Sequence, residues 1–138
     1  MVTVRRNTWQ REAVREALVA APGFVSAQQL HSELREGGST IGLATVYRAL
    51  ASLSEAGEAD SLQSPEGENL FRSCESEGHH HHLICRSCGF TEELKAQEVE
   101  EWSHRVAAEH GFTEVTHIVD IFGLCARCSG RPAGAPAA

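Results

Sequence analysis

Residues 42–73 read GLATVYRALASLSEAGEADSLQSPEGENLFRS, a helical period followed by two short alternating segments. Leu43, Val46, Leu50 and Leu53 recur at i, i+3, i+7 and i+10, so they share one face of a helix over about 42–56. The opposite face holds Ala44, Thr45, Arg48, Ala51 and Ser52, with Tyr47 on the border. Gly57 is the natural stop. Residues 59–63 and 69–73 then read as two strands joined by a turn at Ser64-Pro65-Glu66-Gly67.

Upstream, residues 8–21 predict a helix with Thr8 as N-cap and Trp9, Ala13, Val14, Ala17 and Leu18 inward, ended by Pro22-Gly23. Ser26 followed by Gln29 has capping-box spacing and opens a second helix, with Leu30 and Leu34 as its apolar stripe and Gly37-Gly38 as its stop. Three helices followed by a hairpin is the order of a winged helix-turn-helix, with the third helix as reader and the hairpin as wing. Small residues around one arginine and one tyrosine let that helix approach a DNA major groove closely. The plainer alternative is a solvated helix in a small bundle.

Downstream, the pattern predicts strands over 79–86 and 90–94 and a helix over 95–110 with Val99, Trp102, Val106 and Ala107 inward. It also predicts a strand over 114–122 (EVTHIVDIF), the richest in β-branched residues. So small an α/β unit would need a metal staple and a second copy of itself. The expected class is therefore α+β. A winged-helix domain with hinge would span 1–75, an α/β dimerisation domain 76–128, and a disordered, low-complexity tail 129–138.

Composition bounds the function. The net charge of −7 is a poor match to phosphate as a general partner. However, residues 1–60 carry six Arg against seven Asp/Glu, while 61–138 carry six Lys/Arg against twelve. Arg5, Arg6 and Arg11 form a basic N-terminal arm beside Thr45, Tyr47 and Arg48 as the expected DNA contacts, and bound divalent cations reduce the acidity. No apolar run approaches the ~20 residues of a membrane span, and no secretory leader is present, which predicts a cytoplasmic protein.

In a reducing compartment, two C-x-x-C pairs predict metal ligation before disulfides. Cys85, Cys88, Cys125 and Cys128 make a four-thiolate set, closed and tetrahedral around Zn²⁺, hence structural. The redox alternative lacks a thioredoxin-like context. Four consecutive histidines, 79–82, alternate faces if extended, so His79 and His81 point one way and His80 and His82 the other. That alternation predicts two further sites and not one. A purification tag would sit at a terminus. Cys74, an odd thiol just upstream, and Asp60 suit His80 and His82, while Glu100 and His117 suit His79 and His81. Up to three Zn²⁺ per chain follow. His31, His104 and His110 are assigned no role. Every set fills its coordination from protein, which leaves no position for substrate and argues against an enzyme.

The runs GLATVYRAL (42–50), HHHHLICRSCG (79–89) and GLCARC (123–128) together resemble the ferric uptake regulator family, and the resemblance covers roughly 8–128. It implies a homodimeric, metal-dependent transcriptional repressor that binds double-stranded operator DNA. The four knuckle cysteines match that family's structural zinc site, His80 and His82 its regulatory pair at the hinge, and His79, His81, Glu100 and His117 its site in the dimerisation domain. Tyr47 and Arg48 match recognition-helix positions. Departures are informative: Phe24 and Arg72 stand where iron-sensing members often carry histidine and glutamate, and neither can ligate. Cys74 and Asp60 are the substitutes, and His81 replaces a usual aspartate. Thiolate or imidazole in place of carboxylate moves a site toward Zn²⁺ and away from Fe²⁺ or Mn²⁺. The chain looks like the zinc uptake regulator branch. Sensing of iron, nickel or peroxide, and zinc storage or chaperoning without DNA, are the rival readings.

Overall fold

Apolar residues at helical spacing build the first half of the chain. In the computed structural model, residues 3–74 and 80–131 are described, with 3–8 as backbone only. They fall into two compact units, Met1–Glu77 and Gly78–Ala138. The first holds α1 (Thr3–Ala20), β1 (Val25–Ser26), α2 (Ala27–Glu36), α3 (Leu43–Glu55), β2 (Ala59–Gln63) and β3 (Asn69–Ser73). Val14 and Leu18 of α1, Leu30 of α2, and Val46, Leu50 and Leu53 of α3 are essentially inaccessible to water. Each such side chain contributes about 1.5–3 kcal/mol of burial. The strands lie in the order β1-β3-β2, all antiparallel, with Asp60 opposite Arg72 and Leu62 opposite Leu70. At the hairpin turn, Gly67 adopts φ +88° and its N–H donates to the Ser64 carbonyl at 2.8 Å.

The expected capping box is present. Ser26 Oγ accepts from the Gln29 N–H at 3.1 Å, and Gln29 Oε1 accepts from the Ser26 N–H at 2.9 Å. Ser26 also closes β1, a two-residue strand too short to show a period in the sequence. Two expectations for α1 are corrected. It begins at Thr3, so Thr8 lies inside it and is no cap; nothing in 3–8 is a Gly or Pro that would stop a helix. Trp9 is 58% exposed, because the packed apolar cluster reaches only as far up α1 as Ala13.

The second unit holds β4 (His81–Cys85), β5 (Thr91–Leu94), α4 (Gln97–Glu109), β6 (Asp120–Gly123) and α5 (Ala126–Ser129). Its sheet runs β5-β4-β6, with β4 antiparallel to β5 and parallel to β6. The long strand expected over 114–122 is only four residues, 120–123, although the Val119 carbonyl still accepts from the His82 N–H at 3.3 Å. Residues 115–118 have no ladder partner among the described residues, and Ile118 is 86% exposed. The face of α4 is also corrected. Trp102 is 56% exposed, and the helix turns Ser103, its one buried residue, inward with Glu100 one turn before it. Trp102, Val106, Ala107, His110, Phe112 and Val115 instead line an open apolar hollow of about 400 Å³. Part of the tail expected over 129–138 is ordered: Ser129 belongs to α5, Gly130 caps it at φ +70°, and the Arg131 N–H donates to the Ala126 carbonyl at 3.2 Å. Residues 132–138 lie outside the described residues. No helix among the described residues is long and apolar enough to cross a membrane.

Candidate metal centres

The tight turn after β4 makes the first knuckle. Gly89, at φ +82°, donates to the Cys85 carbonyl at 2.9 Å, and the Cys85 N–H reaches the Phe90 carbonyl at 2.8 Å, so Cys88 is folded back beside Cys85. The parallel pairing of Cys85 with Gly123 brings the second knuckle alongside, with Cys125 as N-cap of α5. The four sulfurs of Cys85, Cys88, Cys125 and Cys128 all lie within 4.8 Å of one another. Cys88 Sγ and Cys125 Sγ are 3.7 Å apart. A tetrahedron with Zn–S bonds of about 2.3 Å has edges of ~3.8 Å, whereas a disulfide needs about 2.05 Å. The spacing therefore fits a four-coordinate thiolate site.

The electrostatics agree. Burial alone would push the Cys85 thiol up, but backbone N–H groups of Cys125, Cys88 and Ser87 outweigh it and lower the thiol to about 6. Cys88 is lowered, chiefly by the Phe90 N–H. Cys128, despite the Ser87 hydroxyl that favours its thiolate, is pushed up to about 11 by the neighbouring thiols and by burial. The Arg127 guanidinium, beside the Cys88 sulfur, is raised in turn. The peptide frame thus holds part of the negative charge that a cation would neutralise.

A second group gathers under α4. Glu100 Oε1 lies 2.9 Å from His81 Nε2 and 3.1 Å from His117 Nε2, and the two rings tilt together at 5.1 Å between centroids. Ser103 Oγ lies 3.2 Å from His117 Nδ1. Two imidazole nitrogens converging on one carboxylate oxygen form a donor set with metal-site spacing, and all three ligand atoms fall within 4.8 Å. His79, expected in this set, lies outside the described residues.

The remaining expected ligands belong to different units. In the first, Asp60 on β2 and Cys74 just beyond β3 lie diagonally across the ladder, and the Cys74 N–H donates to the Glu58 carbonyl at 3.1 Å. The buried Cys74 sulfur and an Asp60 oxygen come within 4.8 Å. In the second, His80 and His82 share a side as alternation requires, with rings edge to face at 4.8 Å. His82 Nδ1 lies 3.1 Å from Asp120 Oδ1. Asp120 and Ser103 were not singled out from sequence. The signal for Asp120 was there: one carboxylate in the otherwise apolar run IVDIF. Phe24 is buried as an apolar side chain.

On α3, Tyr47 and Arg48 are exposed, Thr45 is half-buried, and an Arg48 guanidinium N–H donates to Thr45 Oγ1 at 3.1 Å. Arg11 is held by Glu58 at 2.6 Å and donates to Ser52 Oγ at 3.2 Å. Arg5 and Arg6 lie in the first turns of α1.

Three helices with an antiparallel wing, followed by an α/β unit rich in thiols and imidazoles, define a winged-helix protein built around metal-ligand clusters. The chain belongs to the ferric uptake regulator family, whose model matches residues 3–122. It is 50% identical over 123 residues to the zinc uptake regulation protein of Mycobacterium tuberculosis, covering 89% of this chain and 94% of that one. The crystal structure of FurB from M. tuberculosis, a zinc uptake regulator, matches with 50% identity and a TM-score of 0.53, covering 89% and 95%. A zinc uptake regulator complexed with zinc and DNA matches with 33% identity and a TM-score of 0.69, covering 88% and 81%.

Proposed function

We propose that this chain is a cytoplasmic, zinc-responsive transcriptional repressor, not an enzyme, that binds operator DNA as a homodimer and controls zinc-uptake genes. The observation that carries the reading is the donor chemistry. Four thiols are gathered at zinc spacing, and a buried thiol, Cys74, stands beside Asp60. The relatives named above support the same metal and the same partner. Residues 1–75 form the DNA-binding domain and hinge, and 76–128 the dimerisation domain. Thr45, Tyr47 and Arg48 of α3 face the major groove, with Arg5, Arg6 and Arg11 on phosphate.

Cys85, Cys88, Cys125 and Cys128 hold a structural zinc. Asp60, Cys74, His80 and His82 form the regulatory set, and His79, His81, Glu100 and His117 a further one. A bound Zn²⁺ would supply two positive charges and fixed bond directions to these donors. Binding DNA at two half-sites about one helical turn (~34 Å) or a multiple apart requires the two α3 helices at a set separation. Donors drawn from both units restrict the hinge when they converge, which lowers the entropy lost on docking. The test is operator binding by chelated protein refilled in turn with Zn²⁺, Fe²⁺, Mn²⁺ or Ni²⁺. Zn²⁺ is expected to restore binding at the lowest free concentration; restoration by Fe²⁺ below that concentration would replace zinc with iron in this reading.

A further inference from the structure

Asp120 is the only acidic residue in 117–124, and it stands opposite His82 in the parallel register of β4 and β6. Its Oδ1 lies 3.1 Å from His82 Nδ1, and both side chains are withdrawn from water, at 17% and 9% exposure. A carboxylate only accepts, so the nitrogen it faces carries a proton, and in the neutral ring Nε2 then carries the lone pair. We infer that Asp120 is a positioning residue for the regulatory metal set, holding His82 as the Nδ1–H tautomer so that Nε2 is the donor to metal. This rests on the reading of His82 as a ligand given above. The two histidine sets are backed differently. His117 has the neutral Ser103 hydroxyl at Nδ1, while His82 has an anion, which offsets part of the charge of a bound cation. The segment from His117 to Cys128 thus contributes to all three metal groups: His117 directly, Asp120 through His82, and Cys125 with Cys128 directly.

The experiment uses full-length protein with the four-cysteine site filled. Zinc affinity is measured by chelator competition and the His82 tautomer by imidazole ¹⁵N shifts, in wild type, Asp120→Ala, Asp120→Asn and Cys74→Ala. Asp120→Ala is expected to weaken the regulatory set about 10–100-fold, the usual cost of losing such a partner, and to move proton density from Nδ1 to Nε2. Asp120→Asn keeps an acceptor but no charge; it should retain the tautomer and the melting temperature while losing less affinity than Asp120→Ala. Wild-type affinity or an unchanged tautomer in Asp120→Ala overturns the inference. Should that variant fail to fold, wild-type affinity in Asp120→Asn does the same. If Cys74→Ala leaves the affinity unchanged, the regulatory-set reading fails; if Cys74→Ala weakens it and Asp120→Ala does not, only the role of Asp120 fails.

Discussion

In the regulatory set proposed above, the buried thiol at position 74 next to the Asp60 carboxylate would set which cation is preferred. Thiolate favours Zn²⁺ over harder ions. Cys74→Ala should abolish the zinc response of operator binding while leaving the four-cysteine zinc in place. Cys74→Asp should keep a metal response and shift it toward Mn²⁺ and Fe²⁺; free-metal titrations of operator affinity read both. A second residue-scale consequence concerns pH in chelated, reduced protein. Cys85 is depressed to about 6 from its ordinary value of 9.0, so the unfolded chain binds more protons between these values and stability rises with pH across that window. Cys128 is raised to about 11 from 9.0; its contribution is complete below 9.0 and is lost as pH rises toward 11. The melting temperature of the metal-free second unit should therefore climb from about pH 6 to 9 and fall above it. The cysteines and histidines were legible because C-x-x-C spacing and strand alternation are chemical signals in themselves. Ser103 carries no such signal, and Asp120 only a weak one, a single carboxylate in an apolar run, because each meets a histidine ring and belongs to no spaced set of donors.

Among the elements, α2, α3 and the wing are readable nearly residue by residue, and the reason is local. α3 repeats leucine and valine at helical spacing, the wing strands alternate about a Pro-Glu-Gly turn, and α2 has its own cap. The Ser26 cap can be tested directly. Ser26→Ala removes the hydroxyl that accepts from Gln29 and should cost about 1 kcal/mol, which is a drop of ~4–8 °C in melting temperature for a unit of this size. Calorimetry of the intact protein checks this, and an unchanged first transition would mean the cap is redundant with β1 pairing. In the second unit, the face of α4 and the length of the 114–122 strand depart from expectation, and the two have one cause. Periodicity identifies an apolar stripe on α4 but not what it packs against. Here the sheet side is claimed by Glu100 and Ser103, which reach the histidines, and Trp102 is left facing outward. The β-branched run 115–118 likewise predicts a strand, but among the described residues it has no ladder partner.

At the scale of the whole molecule, those two departures point the same way. Trp102, Phe112, Val115, Ile118 and Ile121 are exposed large apolar residues of a 61-residue unit, Gly78–Ala138, a size at which one core is marginal. The homodimer proposed above gives that surface its partner. Ile118, at 86% exposure, ends the run 115–118 that has no ladder partner among the described residues, and is where a second copy would add main-chain pairing and apolar burial together. Ile118→Asp places a carboxylate in that interface, and an unpaired buried charge costs several kcal/mol. Ile118 belongs to neither the four-cysteine group nor the Glu100 group, although it follows His117 directly, and its side chain is 86% exposed on the single chain. Light scattering should then give the mass of one 15.0 kDa chain where the wild type gives two. Zinc content at the four cysteines should be retained, and operator affinity should collapse because only one α3 is delivered per binding event. A dimer that survives Ile118→Asp would place the interface on another face of the molecule.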